Sequence, residues 1–162
     1  MPVHSISPVY NQNSKVLILG SFPSVKSREA SFYYAHPQNR FWQIISRVCR
    51  CDMPDTVDSK KELLLQNGIA LWDVIESCEI VGSSDSSIKN VKANNISKIL
   101  NEAEIKHVFT NGKKADELYK KHVENAVNIK AVCLPSTSPA NAAWGIDRLF
   151  EQWNSELCKY IR

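Results

Sequence analysis

Glycine-rich loops are missing from this sequence of 162 residues, which contains only five glycines. The segment after the first predicted strand, GSFPS, carries a single glycine. Neither a P-loop nor a dinucleotide-binding fingerprint can be formed there. The G-x-S-x-G elbow of α/β-hydrolases is absent as well. A serine hydrolase is therefore a weak interpretation, even though serines and histidines are present.

Metal-ligand patterns are absent too. The five cysteines are scattered, and Cys49 and Cys51 are separated by one residue, which is not the spacing of a zinc or iron–sulfur ligand pair. Histidines and carboxylates never cluster at ligand spacing. We expect no metal, no other cofactor and reduced thiols in an intracellular, cytoplasmic protein. Cys133 lies in an apolar strand pattern and is expected in the core.

Long apolar runs and a strong charge of one sign are also lacking. No run approaches membrane-spanning length, and the first residues have no apolar signal region. The net charge of +3 tolerates a polyanionic partner without requiring one. We expect a monomer that does not associate with membranes.

Short apolar segments alternate with helical patterns along the chain. Strands are predicted at 15–20, 68–75, 105–112 and 130–135. Helices are predicted at 39–50, 56–68, 95–104, 113–125 and 138–161, the last with Ser138 as its N-cap and Pro139 in its first turn. The polar segment 81–95 is predicted to be a loop. This order predicts one domain over 1–162, a three-layer αβα sandwich with a central four-stranded parallel sheet.

Three segments that follow predicted strands would meet at the carboxyl edge of such a sheet, where ligands bind. They are 20–39, TNGKK after Phe109, and PSTSPAN after Leu134. The first is rich in aromatic residues and poor in carboxylates. Aromatic rings stack on nucleobases with about 1–3 kcal/mol each, but rings of this kind cover a hydrophobic core equally often. Asn39 taken alone is better explained as an N-cap.

Two motifs in this order, GSFPS…YYAHPQNRFW and LPSTSPAN, resemble the uracil-DNA glycosylase superfamily. Within it, the hypoxanthine-DNA glycosylases (DNA-deoxyinosine glycosylases) are the most similar family. The segment AHPQNRFW also resembles the mismatch-specific uracil glycosylases. Phe22 stands where uracil glycosylases have an Asp or Asn that handles water, and Leu134 where they have a His. Both departures argue against a conventional uracil enzyme.

The resemblance implies a monofunctional DNA repair enzyme that hydrolyses the N-glycosidic bond of deoxyinosine and releases hypoxanthine, which starts base excision repair. Its substrate is DNA containing deaminated bases. Asn39 matches the catalytic asparagine of the family, and Tyr34 matches a stacking aromatic. Base-binding residues are then Phe22, Tyr34 and Asn111. Residues expected to contact DNA are Ser21, Ser24, Lys113, Ser136, Thr137, Ser138, Pro139, Ala140 and Asn141.

Within this last group, Ser136, Thr137 and Ser138 are expected to hold phosphates at the start of the last helix. Pro139, Ala140 and Asn141 are expected to form a wedge that enters the duplex.

Other interpretations remain open from the sequence. The enzyme could accept uracil or xanthine as well, or the chain could be an inactive nucleic-acid-binding module. Asp73 is more simply explained as a cap than as a base-recognition group. The segment GSSDSS (82–87) is about equally consistent with a DNA-facing loop and with a solvated one.

Overall fold

The computed structural model describes Val3 and residues 6–161, so the ends of the predicted domain 1–162 lie outside the described residues. Within this part, the strands are β1 Val16–Gly20, β2 Ile69–Asp73, β3 Ile75–Glu79, β4 Lys89–Ala93, β5 His107–Asn111 and β6 Ala131–Leu134. The helices are α1 Val25–Ala30, α2 Phe41–Val48, α3 Val57–Gln66, α4 Ile96–Glu102, α5 Lys113–His122, α6 Glu124–Val127 and α7 Ile146–Leu157. None of the described helices is long and apolar enough to cross a membrane.

Four strands form a parallel sheet in the order β2–β1–β5–β6. All five residues of β1 are buried, as its unbroken apolar sequence requires of a strand covered on both faces. Val16 and Ile18 pack with α2, α3 and α7, whereas Leu17 and Leu19 pack with α4 and α5. The predicted three-layer αβα sandwich with a four-stranded parallel sheet is thus confirmed.

The register of the sheet brings four strand ends to one edge. Gly20 pairs with Asp73, and Asn111 pairs with Leu134. The segments that follow β1, β5 and β6 therefore start side by side, as the sequence predicts.

The last helix begins at Ile146 rather than at Ser138, and its N-cap is Gly145. The prediction of a helix from 138 is wrong because the chain makes successive turns between Ser138 and Trp144. The carbonyls of Ser138, Asn141 and Trp144 accept hydrogen bonds from the Arg40 guanidinium. Ser138 is therefore neither a helix cap nor near the positive end of a helix.

The predicted loop 81–95 is wrong in its second half, where β4 pairs with β3 in an antiparallel hairpin. Between these strands lies a short 3₁₀ turn at Asp85–Ser87. Sequence periodicity missed β4 because its residues are polar and mostly exposed. Helix α1 and strand β3 were not predicted either.

Cys133 is exposed, contrary to the expectation that it belongs to the core. It lies on β6, the outer strand of the sheet, beside Val132, whose side chain is 40% exposed. An apolar strand pattern does not distinguish an outer strand from a central one.

Candidate active site

A cleft of about 360 Å³ opens at the carboxyl edge of the sheet. Its size is that of a small-molecule site. Residues from the segments after β1 and β6 line it, together with Asn111 and Asp73 at the ends of β5 and β2 and residues of the 82–87 segment. The cleft therefore contains the regions that the two sequence motifs identify.

The floor of the cleft is built around Gly20. A Cβ atom there would lie 2.3 Å from Asp73 Oδ1 and 2.9 Å from the Tyr34 hydroxyl oxygen. No side chain fits at this position unless those groups move. The Asp73 carboxylate, on a residue that is only 4% exposed, thus lies in the floor of the cleft rather than at the surface.

Tyr34 lies against this floor with its ring stacked on Phe41, at 4.1 Å between centroids and 21° between planes. Its backbone is left-handed, with φ of 52°. The hydroxyl is buried and makes no hydrogen bond to the described residues. Burial first, and then the charge of Asp73, raise the pKa of Tyr34, while Asn111 acts in the opposite direction. The hydroxyl therefore keeps its proton and can donate it.

The Asn39 side chain is fixed at its oxygen. Oδ1 accepts a hydrogen bond from Phe41 N at 2.9 Å and another from Thr137 Oγ1 at 2.9 Å. Asn39 is not the N-cap of α2, which is Arg40, although it does satisfy the first N–H of that helix. Since Oδ1 is engaged, the amide nitrogen is the end with no partner among the described residues. Asn39 thus offers a donor to the cleft.

Thr137 links Asn39 to the end of β5. Its N–H donates to Asn111 Oδ1, and its hydroxyl accepts from Asn111 Nδ2, both at 3.0 Å. Thr137 is fully buried. The predicted phosphate contact of Thr137 is therefore corrected, because its hydroxyl is used inside the protein. Both functional groups of Asn111 bind Thr137, and its amide also lies beside the Tyr34 hydroxyl, whose pKa it lowers.

The rest of the second motif forms the rim of the cleft. Ser136 Oγ accepts from Ser138 N, and Ser138 Oγ accepts from Ala140 N. Pro139 and Ala140 are exposed at the rim. The amide of Asn141 instead donates to Ser136 O, so this side chain braces the loop from an adjoining groove.

Arg40 holds this rim together, a role that sequence reasoning missed. Its guanidinium binds the carbonyls of Ser138 and Asn141 at 3.0 and 3.1 Å and that of Trp144 as well. The backbone N–H of Arg40 donates to the Thr137 carbonyl. No single-sequence pattern could have shown these bonds, since the acceptors are backbone atoms about a hundred positions away.

The opposite wall is the 82–87 segment. Ser83 and Asp85 line the cleft. The segment is held by hydrogen bonds from Ser21 Oγ to Asp85 Oδ1 at 2.9 Å, from Arg28 to Gly82 O at 2.7 Å and from Val25 N to Ser83 Oγ at 2.9 Å. Ser21, predicted to contact DNA, is thus bonded to Asp85.

Three further residues that the sequence predicts to bind the base or DNA lie in the cleft or in the adjoining groove. Phe22 is buried in the cleft wall, with the Arg28 guanidinium 5.5 Å from the centre of its ring. Ser24 lines the cleft but also caps α1, since its side chain accepts from Ser27 N. Lys113 is the first residue of α5 and lies in the adjoining groove. Among the described residues, no three His, Cys, Asp or Glu side chains come together as a metal site would need.

The comparisons with known proteins agree with one another. Residues 7–158 match the sequence model of the family described as the Uracil DNA glycosylase superfamily. A protein named hypoxanthine DNA glycosylase from Methanosarcina barkeri is 33% identical over 143 residues, which cover 87% of this chain and 89% of that protein. A protein of the same name from Methanosarcina acetivorans is 32% identical over 142 residues, which cover 86% of this chain and 89% of that protein.

Among solved structures, a solution NMR structure from Methanosarcina acetivorans, provisionally described as a uracil DNA glycosylase, superimposes with a TM-score of 0.81. Its sequence is 29% identical, and the match covers 95% of each chain.

Proposed function

The chain belongs to the uracil DNA glycosylase superfamily, and from this premise we propose that it is a DNA glycosylase that releases hypoxanthine from deoxyinosine in damaged DNA. The substrate class is supported by the two relatives named hypoxanthine DNA glycosylase. The protein acts as one domain and as a monomer inside the cell, where such damage arises.

The reaction breaks the bond between C1′ of the sugar and N9 of the purine. The target nucleotide is first flipped out of the duplex, and the lost stacking and pairing cost about a few kcal/mol of free energy. In the transition state positive charge develops on the sugar and negative charge on the departing base. Fixed hydrogen-bond donors aimed at that negative charge accelerate the step, because they need no reorganisation.

The orientation of Asn39 is the observation that carries the proposal. Two hydrogen bonds to Oδ1 turn its amide so that the NH₂ group is the uncommitted end. The group behind it, Thr137, is fully buried and fixed by Asn111. Asn39 is therefore a preorganised donor that binds the leaving base or the attacking water.

The flipped base lies between Phe22 and Tyr34. One face of the Tyr34 ring is covered by Phe41, and the other is left for the purine. Hypoxanthine carries a C=O beside an N–H, and the Asp73 carboxylate in the floor of the cleft can accept a hydrogen bond from that N–H. Adenine presents the reverse pattern at these positions. The floor thus favours deaminated bases over the normal one.

The rim contacts the DNA strands. Exposed Pro139 and Ala140 are positioned to enter the gap left by the flipped nucleotide. Ser136, Ser138 and Lys113 supply phosphate contacts from the rim and the adjoining groove. A helix dipole does not contribute, because α7 begins beyond the rim.

The test is a panel of duplexes, each carrying one deoxyinosine, deoxyuridine, deoxyxanthosine or no lesion. After incubation, alkali cuts the strand wherever a base has been released. We expect cleavage at deoxyinosine, and the unmodified duplex is the control. Cleavage mainly at deoxyuridine would instead show a uracil enzyme, and lesion binding without any cleavage would show an inactive binding module.

A further inference from the structure

We propose that Asp85 is the general acid of this site, giving a proton to the purine as it leaves. The inference rests on the proposed function, because it assigns a role within base release. It concerns the one wall of the cleft that neither sequence motif contains. It would make the 82–87 segment part of the catalytic machinery rather than a loop at its side.

The position of Asp85 supports this assignment. It lines the main cleft and also the adjoining groove, so it stands where the two cavities meet. Ser21 Oγ holds its Oδ1 at 2.9 Å, from the first position after β1. Its second oxygen, Oδ2, makes no hydrogen bond to the described residues. The carboxyl group is therefore anchored at one oxygen and available at the other.

The surroundings of Asp85, an exposed residue, raise the pKa of its carboxyl group above the ordinary value. Partial desolvation of the carboxyl group raises its pKa, and the negative charge of Asp73 on β2 acts in the same direction. The hydrogen bond from Ser21 and the charge of Lys114 on α5 oppose the rise. Bound DNA adds negative phosphates and removes water, and both effects raise the pKa of a carboxyl group further.

A purely structural role, in which Asp85 only anchors the 82–87 segment to Ser21, explains this residue less well. An asparagine would accept the same hydrogen bond from Ser21. It would also avoid a carboxylate at the mouth of a site that binds a polyanion, where like charges repel. The Asp85 carboxylate therefore weakens the binding of DNA before the reaction. Its presence is explained if the carboxyl group is needed in the reaction itself.

His36 is the other ionisable group that could supply the proton from the cleft wall. Its Nδ1 accepts a hydrogen bond from Gln38 N at 3.1 Å. While Nδ1 accepts this bond, its lone pair is not free to hold a second ring proton. Becoming an acid would require protonation at Nδ1 and loss of that bond. Asp73, only 4% exposed on the floor, is better placed to read the base than to exchange protons with solvent.

The proton balance is simple. The C1′–N9 bond breaks and its electron pair stays with the purine, while the Asp85 proton moves to N7. Water adds its hydroxyl group to C1′, and the remaining proton returns through solvent to the Asp85 carboxylate. The products are hypoxanthine and an abasic sugar, and the enzyme ends in its starting state.

The first experiment measures single-turnover release of hypoxanthine by the wild-type protein and by Asp85→Asn between pH 5 and pH 8.5. The variant keeps an acceptor for Ser21. We expect it to be about 10²-fold slower, the lower end of the range for general acid catalysis. The wild-type rate should fall as the pH rises, because the acid loses its proton, and the variant should be insensitive to pH.

Binding of the lesion duplex by Asp85→Asn should be unchanged or tighter, since a negative charge is gone. Asp55→Asn, which removes an exposed carboxylate outside the cleft, should behave as wild type. A wild-type rate and pH profile for Asp85→Asn would overturn the proposal. So would a loss of the pH-dependent limb in His36→Gln alone, which would assign the proton to His36.

The second experiment changes the substrate and therefore does not depend on the folding of a variant. In 7-deaza-deoxyinosine a C–H replaces N7, so no proton can be accepted there. The wild-type protein should release this base at least about 10²-fold more slowly than hypoxanthine. Equal release of both bases would overturn the proposal. If the wild-type protein releases no hypoxanthine from deoxyinosine either, the result contradicts the proposed function itself.

Discussion

The two walls of the cleft are built in different ways. The wall formed by 135–145 is joined to the opposite motif through groups that are buried or half-buried: Thr137 is fully buried, and the half-buried Arg40 binds three of its backbone carbonyls. The wall formed by 82–87 is attached by three hydrogen bonds, all of them at exposed positions. The 135–145 wall holds Asn39 in position through Thr137. The 82–87 wall is held by bonds that are open to solvent.

This difference has consequences for stability. Segments with few buried contacts and exposed hydrogen bonds open locally at small free energies, whereas buried networks open only with a large part of the fold. Changes in the 135–145 wall should therefore alter both catalysis and global stability. Changes in the attachment of the 82–87 wall should act locally.

The largest effect on the reaction rate is expected at Asn39, which the 135–145 wall holds in position. Asn39→Ala should lower the single-turnover rate on deoxyinosine by about 10²–10³, the scale for loss of one preorganised donor. Asn39→Asp retains oxygens that can accept from Phe41 and Thr137 but has no NH₂ group. It should lose activity to a similar degree and remain close to wild type in its thermal unfolding.

Binding of the lesion duplex is measured beside the rate, and we expect it to fall much less in Asn39→Ala, because stacking and phosphate contacts remain. An Asn39→Asp protein that excises hypoxanthine at the wild-type rate would show that the oxygen, and not the nitrogen, matters. Asn39 would then be a structural residue of the buried wall.

The second effect concerns Arg40. Arg40→Met keeps much of the apolar stem but leaves the carbonyls of Ser138, Asn141 and Trp144 without their donor. The free energy of unfolding in urea should fall by about 1–3 kcal/mol, and lesion binding should weaken because the rim loses its shape. Both quantities are measured on the same preparations.

Arg47→Met is the matched control. Arg47 lies on α2, whose N-cap is Arg40, and pairs with Asp147 at the surface, where the two side chains are 46% and 84% exposed. Its guanidinium also lies 4.0 Å from the centre of the Phe150 ring. An exposed ion pair contributes about 0–1 kcal/mol and an exposed cation–π contact about 0.5–1 kcal/mol, so this variant should lose less stability than Arg40→Met. Equal destabilisation by the two variants would remove the special role of Arg40 and, with it, much of the contrast between the walls.

The same contrast explains what could be predicted from the sequence. Strands β1 and β2 are short, almost wholly apolar and buried on both faces, so their pattern identifies them and the sheet they form. The motif segments at the strand ends were located in this way, and the importance of Asn39 came from the resemblance of the motifs rather than from composition. Taken by itself, an asparagine before a helix predicts only a cap.

The parts that could not be predicted depend on polar contacts across long sequence distances. The hairpin of β3 and β4 is short and mostly polar, and the buried residues of β3, Ile75 and Cys78, are three positions apart, so no strand periodicity marks it. The late start of the closing helix, at Ile146 rather than Ser138, goes with the bonds from Arg40 to the turns before it, whose acceptors are backbone carbonyls with no signature in the side chains. Asp85 lines the cleft with its carboxylate bound by Ser21, 64 positions earlier.

The smallest effect is expected from Ser83→Ala, which removes the acceptor of Val25 N and so loosens the 82–87 wall at one point. Because the bond is exposed and water can replace it, global stability should change by less than about 1 kcal/mol. Amide hydrogen exchange should show faster exchange within 82–87, with the sheet unaffected. Ser86→Ala is the control in the same segment, since its hydroxyl contacts only Ser84. A loss of global stability in Ser83→Ala as large as in Arg40→Met would show that the two walls unfold as one unit.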